Sequence, residues 1–404
     1  MTLDVLVIDR APPTDMRQGN ALIAAHVLPL LRDVELTLVA PVTGDMEAER
    51  AALGNTFAAI HLVPLRSRVP ALTGSLRPVV ARRLRRAPAG LRDWLRLDET
   101  ATLEDAIASV LRSRPWDVIH VRQLPMAGFV PAAPIGRLLE LVDSETLATG
   151  RRRGPRARIR GIAARAIERR AAATADIVTL VSSVDATAVR RLAPATRVEV
   201  VTNGVDTDVF DTAACPDVVE SVDEIAFVGA MTFPPNVDAA VWLCRDVLPI
   251  LRRKRPTATI RLIGRDPVAA VRALASEAVT VTGTVDDVRP EVLRCAVVAI
   301  PMVSGSGVKN KVLEAMSMGR PVVSTSMGVE SLGVADDREV VIADGAVAFA
   351  EALDRLLGDV DRRRRIGRAA RAFVIEHHSW ATAARRYREL YDDLAALTRS
   401  RTAR

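Results

Sequence analysis

Short runs of aliphatic and β-branched residues alternate along this chain with longer stretches in which apolar positions recur every three or four residues. Seven such runs come first: LDVLVI (residues 3–8), ELTLVA (35–40), AAIHLV (58–63), DVIHV (117–121), LLELVD (138–143), DIVTLV (176–181) and RVEVV (197–201). Six more follow: EIAFVG (224–229), ATIRLIG (258–264), VTVTG (279–283), AVVAIP (296–301), PVVST (321–325) and EVVIA (339–343). Runs this short and this uniformly apolar suit strands covered on both faces. The helical stretches between them supply the cover, so the pattern predicts parallel sheets of the doubly wound α/β type. Between the two series lies NGVDTDVFDTAACPDVVES (203–221), polar and without a clear period, which reads as a linker. At 404 residues the chain is long enough for two domains with a core each. Their expected bounds are 1–204 and 205–378, followed by a terminal segment, 379–404, with a helical pattern through residue 397. Open α/β sheets bind ligands outside the carboxyl ends of their strands, so a cleft between the two domains is the expected site.

Hydrophobic residues at 49% and charged residues at 26% are the proportions of an ordinary globular protein. No apolar run reaches the roughly 20 residues that a membrane-spanning helix needs. The start, MTLDVLVIDR, carries Asp4 inside its apolar run and has neither a basic leader region nor a small-residue cleavage site, so it reads as a first strand. Cys215, Cys244 and Cys295 are odd in number and far apart, which argues against a disulfide framework or a Cys-rich metal site and fits a reducing cytoplasm.

Charge changes the picture more. A formal net charge of +7 points to anionic partners. It concentrates in RSRVPALTGSLRPVVARRLRRAPAGLRDWLRL (66–97) and RRRGPRARIRGIAARAIERR (151–170), both in the first half. Arginines there alternate with Leu, Val, Ile, Ala and Trp94, as on a helix resting on anionic lipid headgroups at the periphery of a membrane. A solvated arginine face would give the same pattern, and both readings stay open. Nucleic acid is not an expected partner: aromatics at 3% are too few for a stacking platform, and no zinc-finger spacing or RNA-binding motif occurs.

Only three basic residues are lysine, and two of them, Lys309 and Lys311, stand together in VSGSGVKNKVLEAMSMGRPVVST (303–325). The stretch follows a buried strand pattern, turns on glycines and opens an amphipathic helix that stops at Gly319. Glycines let backbone approach a ligand closely, and the first amides of a helix point outward unpaired, so Ser306, Gly307 and Val308 form a ready anion site. Lysine adds a compact, mobile charge suited to a diphosphate, where arginine would bring a planar fork. Glu314 follows at a distance suited to the vicinal hydroxyls of a ribose. An incidental strand–turn–helix with a solvated lysine pair is the competing reading.

GSGVKNKVLEAMSMGRPVVSTSMGVESL resembles the nucleotide-sugar-binding motif of the family 4 glycosyltransferases, retaining enzymes of the GT-B fold. FVGAMTFPPNVDAAVWLCRDVLPILRRKRP, LIGRDP, VTGTVDDVRP and the ending HHSWATAARRYRELY fall in the order such enzymes show, the branch being that of sugar transferases of polysaccharide biosynthesis. The likeness is specific over 224–380 and diffuse before it, where it covers the early glycine loop, DVIH and VVTNGVDTDVF. It implies an acceptor-binding first domain, a nucleotide-sugar-binding second domain and a last helix that crosses back to the first. The partners it implies are a nucleoside-diphosphate sugar and a carbohydrate or lipid-linked acceptor, with no metal or other cofactor. The enzyme would sit in the cytoplasm or at the inner face of the membrane.

Carried over by position, the resemblance gives Glu314 the donor ribose and the loop Ser306 to Val308 the diphosphate. A second glutamate that many members place eight residues earlier is Ser306 here, so their donor-sugar recognition does not transfer. Relatives also follow the glycine of FVG with an arginine and then a lysine, where this chain has AMTFPPN. That leaves Lys309 and Lys311 to meet the leaving diphosphate, with Gly229 and Met231 lining the cleft and Asn236 capping the next helix. Gly19 and Asn20, in the loop after the first strand, would face donor phosphates or acceptor, and backbone near Gly283 and Val285 would meet the base. His120 ends the strand from which relatives present a histidine to the sugar, and Arg122 stands two residues on, on the same side of that strand. A core histidine is the competing reading of His120. The pair Asp206 and Asp208 imitates a metal-binding Asp-x-Asp but belongs to the linker motif. The implied reaction is transfer of a sugar to an acceptor hydroxyl with retention. A sugar-nucleotide 2-epimerase of the same architecture and a catalytically silent binding protein are the alternatives.

Overall fold

The computed structural model describes residues 2–14, 19–66, 69, 97–150, 154–304 and 309–403. Each of the apolar runs forms a strand. In the first half these are β1 (Leu3–Ile8), β2 (Val34–Val42), β3 (Ala59–Pro64), β4 (Val118–Arg122), β5 (Gly136–Val142), β6 (Ile177–Leu180) and β7 (Arg197–Val200). In the second they are β8 (Ser221–Val228), β9 (Thr259–Ile263), β10 (Val279–Gly283), β11 (Cys295–Ile300), β12 (Val322–Ser324) and β13 (Val341–Ile342). They build two separate parallel sheets, ordered β3-β2-β1-β4-β5-β6-β7 and β10-β9-β8-β11-β12-β13. The chain divides into two compact units, Met1–Thr202 with Ala383–Arg404, and Asn203–Thr382.

The stretch read as a linker is not a free connector. It packs on the second unit: the Val205 amide donates to His378 O at 2.8 Å, Ser317 Oγ donates to Phe210 O at 2.8 Å, and Arg371 pairs with Asp211. A polar stretch can pack without periodicity when its backbone and carboxylates, not an apolar face, make the contacts.

In the first unit the last helix, Trp380–Thr402, lies over one face of the sheet. Thr398 Oγ1 donates to Asp117 O at 2.6 Å and accepts from the Gly136 amide at 2.7 Å. Gly136 is required there, because a Cβ would sit 2.5 Å from Leu394 O. Under this helix is a buried polar cluster. Arg122, 1% exposed, pairs with Asp9 and with Glu140, its Nη2 donating to Glu140 Oε1 at 2.8 Å. Tyr387 donates to Glu140 Oε2 at 3.0 Å, and His120 Nδ1 meets the Tyr391 hydroxyl at 2.7 Å. His120 Nε2 lies 3.2 Å from Glu140 Oε2 without the alignment of a hydrogen bond.

Burial pushes the His120 pKa down, against the pull of Glu140, so the ring is held neutral. Burial pushes the Glu140 carboxyl up, but the Arg122 guanidinium outweighs it and keeps the group ionised. His120 and Arg122 therefore do share a side of β4, as strand alternation requires, but that side is covered by Tyr387 and Tyr391. The structure places both of these expected site residues inside the core of the first unit, paired there with Glu140, Asp9 and Tyr391.

Replacing Arg122 by alanine leaves two carboxylates buried without their cation, and is expected to cost about 3–5 kcal/mol of unfolding free energy. Tyr391→Phe, which removes one hydrogen bond to a neutral ring, is expected to cost about 1 kcal/mol. Urea unfolding of both variants checks the contrast.

Candidate functional site

Strand order in the second sheet reverses between β8 and β11. Connections leave those two strands in opposite directions, which opens a crevice at their carboxyl ends. Gly229 follows β8, and the helix Asn310–Ser317 is the next described helix after β11. A Cβ at Gly229 would lie 2.7 Å from Asn236 Nδ2 and 2.9 Å from Lys311 Nζ, so only glycine lets those groups approach the strand end.

Lys311 is in the first turn of the Asn310–Ser317 helix. Its Nζ donates to Asn236 Oδ1 at 2.6 Å and stands 4.6 Å from the centroid of the Phe227 ring, which is wholly buried in β8. Asn236 in turn donates from Nδ2 to Ala230 O at 3.0 Å. It does not cap the helix Pro234–Trp242, as expected from sequence. Phe233 occupies the cap without a side-chain bond, and Asn236 sits inside the first turn with its amide turned toward Lys311. The prolines at the helix start lack the amides that a capping side chain would satisfy, which frees Asn236 for this contact.

Burial lowers the Lys311 pKa to about 7, with the charge of Lys309 adding to the effect and Glu314 opposing it. Glu314, one turn further along the helix, has its carboxyl pushed up by burial, with Lys311 pulling it back. Both side chains keep partial exposure. A half-buried ammonium with an amide and one nearby carboxylate as company is under-neutralised, and an arriving anion would relieve it. Lys309 takes the N-cap position of the same helix with extended backbone and no side-chain cap bond.

Other expected residues fall elsewhere. Met231 is wholly buried and does not line a crevice; its amide donates to Arg265 O at 3.1 Å, fixing it in the core. Gly283 ends β10 at φ +71° with open space where a Cβ would be, and Val285 packs partly against the core. Gly283 belongs to the outer strand β10, on the far side of β9 from the reversal point, and Val285 follows two residues later. Ser306, Gly307 and Val308 lie outside the described residues. Gly19 and Asn20 begin the helix Gly19–Val27, but their side chains are outside the described set, as is nearly all of the basic stretch 66–97. Asp206 Oδ1 accepts the amides of Asp208 and Val209 at 3.1 and 3.0 Å, a turn-forming role. Among the described residues no group of His, Cys, Asp and Glu is gathered as for a metal. Sequence reasoning missed Asn236 and Phe227 as partners of Lys311. The only signal was the doubled proline before Asn236.

Residues 223–359 match the sequence model of the glycosyl transferases group 1. The α-maltose-1-phosphate synthase of Mycolicibacterium smegmatis is 34% identical over 262 residues, 57% of this chain and 66% of that protein. The chain spans less than two thirds of the length of the curated relatives it matches. Among solved structures, the sucrose-phosphate synthase of Thermosynechococcus elongatus superposes with a TM-score of 0.70 at 15% identity, over 98% of this chain and 99% of the other. HepE of Anabaena, solved with UDP and glucose, superposes with a TM-score of 0.65 at 15% identity, over 97% and 100%. The fold is thus GT-B, with two parallel-sheet α/β units.

With three lysines in the chain, reductive 13C-methylation gives a spectrum simple enough to read. One lysine resonance, distinct from that of the methylated terminal amine, is expected to titrate near pH 7. Asn236→Asp, which sets a full negative charge against Nζ, is expected to move that midpoint upward, and Lys311→Arg to remove it. Because the folded state binds fewer protons than the unfolded one between pH 7 and 10.5, this group makes stability rise with pH across that window.

Proposed function

We propose that the chain is a group 1, family 4-type glycosyltransferase that moves a sugar from a nucleoside-diphosphate donor to an acceptor hydroxyl with retention of the anomeric configuration, a reading supported by the family match over 223–359. The observation that carries the reading is the Lys311 ammonium, pinned by Asn236 Oδ1 at 2.6 Å in the crevice where β8 and β11 diverge. A leaving diphosphate develops charge at such a place. A cation already oriented and partly out of water stabilises it without having to reorganise. Lys309 and the first amides of the Asn310–Ser317 helix add to the same field. Glu314 would accept the two ribose hydroxyls. HepE, a structural neighbour, has been solved with UDP-glucose, which supports a nucleotide sugar as donor class.

Binding the diphosphate opposes the desolvation that lowers the Lys311 pKa, so the complex takes up a proton above neutral pH. The acceptor is then positioned on the face of the departing diphosphate, whose oxygen receives the hydroxyl proton, and rate comes chiefly from positioning and charge stabilisation. Retention requires this same-face geometry when no enzyme nucleophile intervenes. The basic stretches of the first half support an acceptor that is a lipid-linked or polymeric carbohydrate, in polysaccharide or glycolipid assembly.

Calorimetry against UDP, GDP and ADP, with their sugars, tests the proposal. Lys311→Ala is expected to weaken the bound nucleotide diphosphate at least about tenfold, one charge-assisted contact's worth. Affinity of the parent is expected to fall as pH rises from 7 to 9, and this slope is expected to vanish in the variant. Glu314→Gln should erase the preference for ribose over 2′-deoxyribose. Undiminished uptake of every nucleotide by Lys309→Ala/Lys311→Ala would overturn the reading.

A further inference from the structure

We infer that the outward face of the helix Pro155–Ala172 is a docking surface for anionic lipid. This helix turns one side into the first unit, where Ala164, Ile167 and Ala172 are buried. On the opposite side Ile159 and Ile162 stand 71% and 72% exposed, three residues apart and therefore adjacent on the surface. A lone exposed aliphatic is ordinary, but two neighbouring isoleucines with most of their area in water form an apolar ridge that nothing in the fold requires.

The charge around this ridge has one sign. Arg158 and Arg165 flank it on one side and Arg160 on the other, and Arg169 and Arg170 extend it; all are exposed, and among the described residues they pair with no acid. The one acid of the helix, Glu168, points the other way and is fully buried, accepting Ser144 Oγ at 2.9 Å and the Glu145 amide at 3.0 Å. The sequence thus removes negative charge from the outer face while keeping a carboxylate where the core uses it. An apolar ridge rimmed by unpaired guanidinium groups matches the boundary between acyl chains and anionic headgroups: the isoleucines enter the apolar side and the arginines reach the phosphates. No described helix is long and apolar enough to cross a membrane, so the contact is one of lying in the surface.

The surface is independent of the sugar-transfer reading, and the test keeps the two apart. The full chain is sedimented with vesicles of phosphatidylcholine alone and of phosphatidylcholine with phosphatidylglycerol, at low and high salt. Binding is expected only with phosphatidylglycerol and is expected to weaken with salt. Ile159→Ser/Ile162→Ser is expected to lower the bound fraction about fivefold, and Arg158→Gln/Arg160→Gln/Arg165→Gln to lower it further. All five positions are exposed, so thermal melting should be unchanged in both variants. Ile162→Trp is expected to give a blue-shifted emission on adding anionic vesicles.

Equal binding to neutral vesicles, or partitioning indifferent to the isoleucine change, would overturn the inference. So would self-association of the parent, abolished by Ile159→Ser/Ile162→Ser in sedimentation velocity, which would assign the ridge to a second copy. Nucleotide affinity is expected to be the same in all these variants.

Discussion

A single ammonium group held partly out of water is the constraint around which the second unit is arranged. Lys311 could not reach its place if residue 229 had a side chain, and it would lack an acceptor if Asn236 capped its own helix. It would also lose its apolar wall without Phe227 of β8. These features lie at the one point of the sheet where topology opens a crevice. Burial, with Lys309 nearby, draws the pKa to about 7, so the charge is conditional: it is secured when an anion arrives and is easily lost otherwise.

The first unit buries a cation by the opposite rule. Arg122 is almost wholly enclosed, yet Asp9 and Glu140 bracket it, and Tyr387 donates a hydrogen bond to Glu140. Its charge is met by carboxylates of the same unit. Arginine suits this task because its fork satisfies two carboxylates at once and does not lose its proton; lysine suits the other because its proton is negotiable. A chain that writes nearly all of its positive charge as arginine therefore uses lysine at the crevice for a chemical reason.

The same logic separates the two helices that carry arginine near the surface of the first unit. The last helix spends Arg388 and Arg401 on Asp33 and Asp176, and Arg386 on Glu199, tying itself to the sheet. Among the described residues, the helix Pro155–Ala172 leaves Arg158, Arg160 and Arg165 without acidic partners and places isoleucines among them. The first arrangement holds the unit together; the second leaves its charges for something outside the protein.

Strand positions were legible in the sequence because a parallel strand buried on both faces must be apolar throughout, and that demand is local. That ligands bind outside the carboxyl ends of such strands was expected from the same pattern, while the reversal of strand order between β8 and β11 was supplied by the structure. What could not be read were contacts between residues far apart in the chain. Alternation put His120 and Arg122 on one side of β4, but whether that side met water or Tyr391, 271 residues away, depended on where the last helix came to rest. Lys311 was singled out by its rarity, yet its partner is 75 residues distant, and Asn236 stands where a capping role was the natural expectation. Periodicity records which side of an element is apolar; which element covers it is settled by packing, because burial energy is blind to chain separation until the chain has folded.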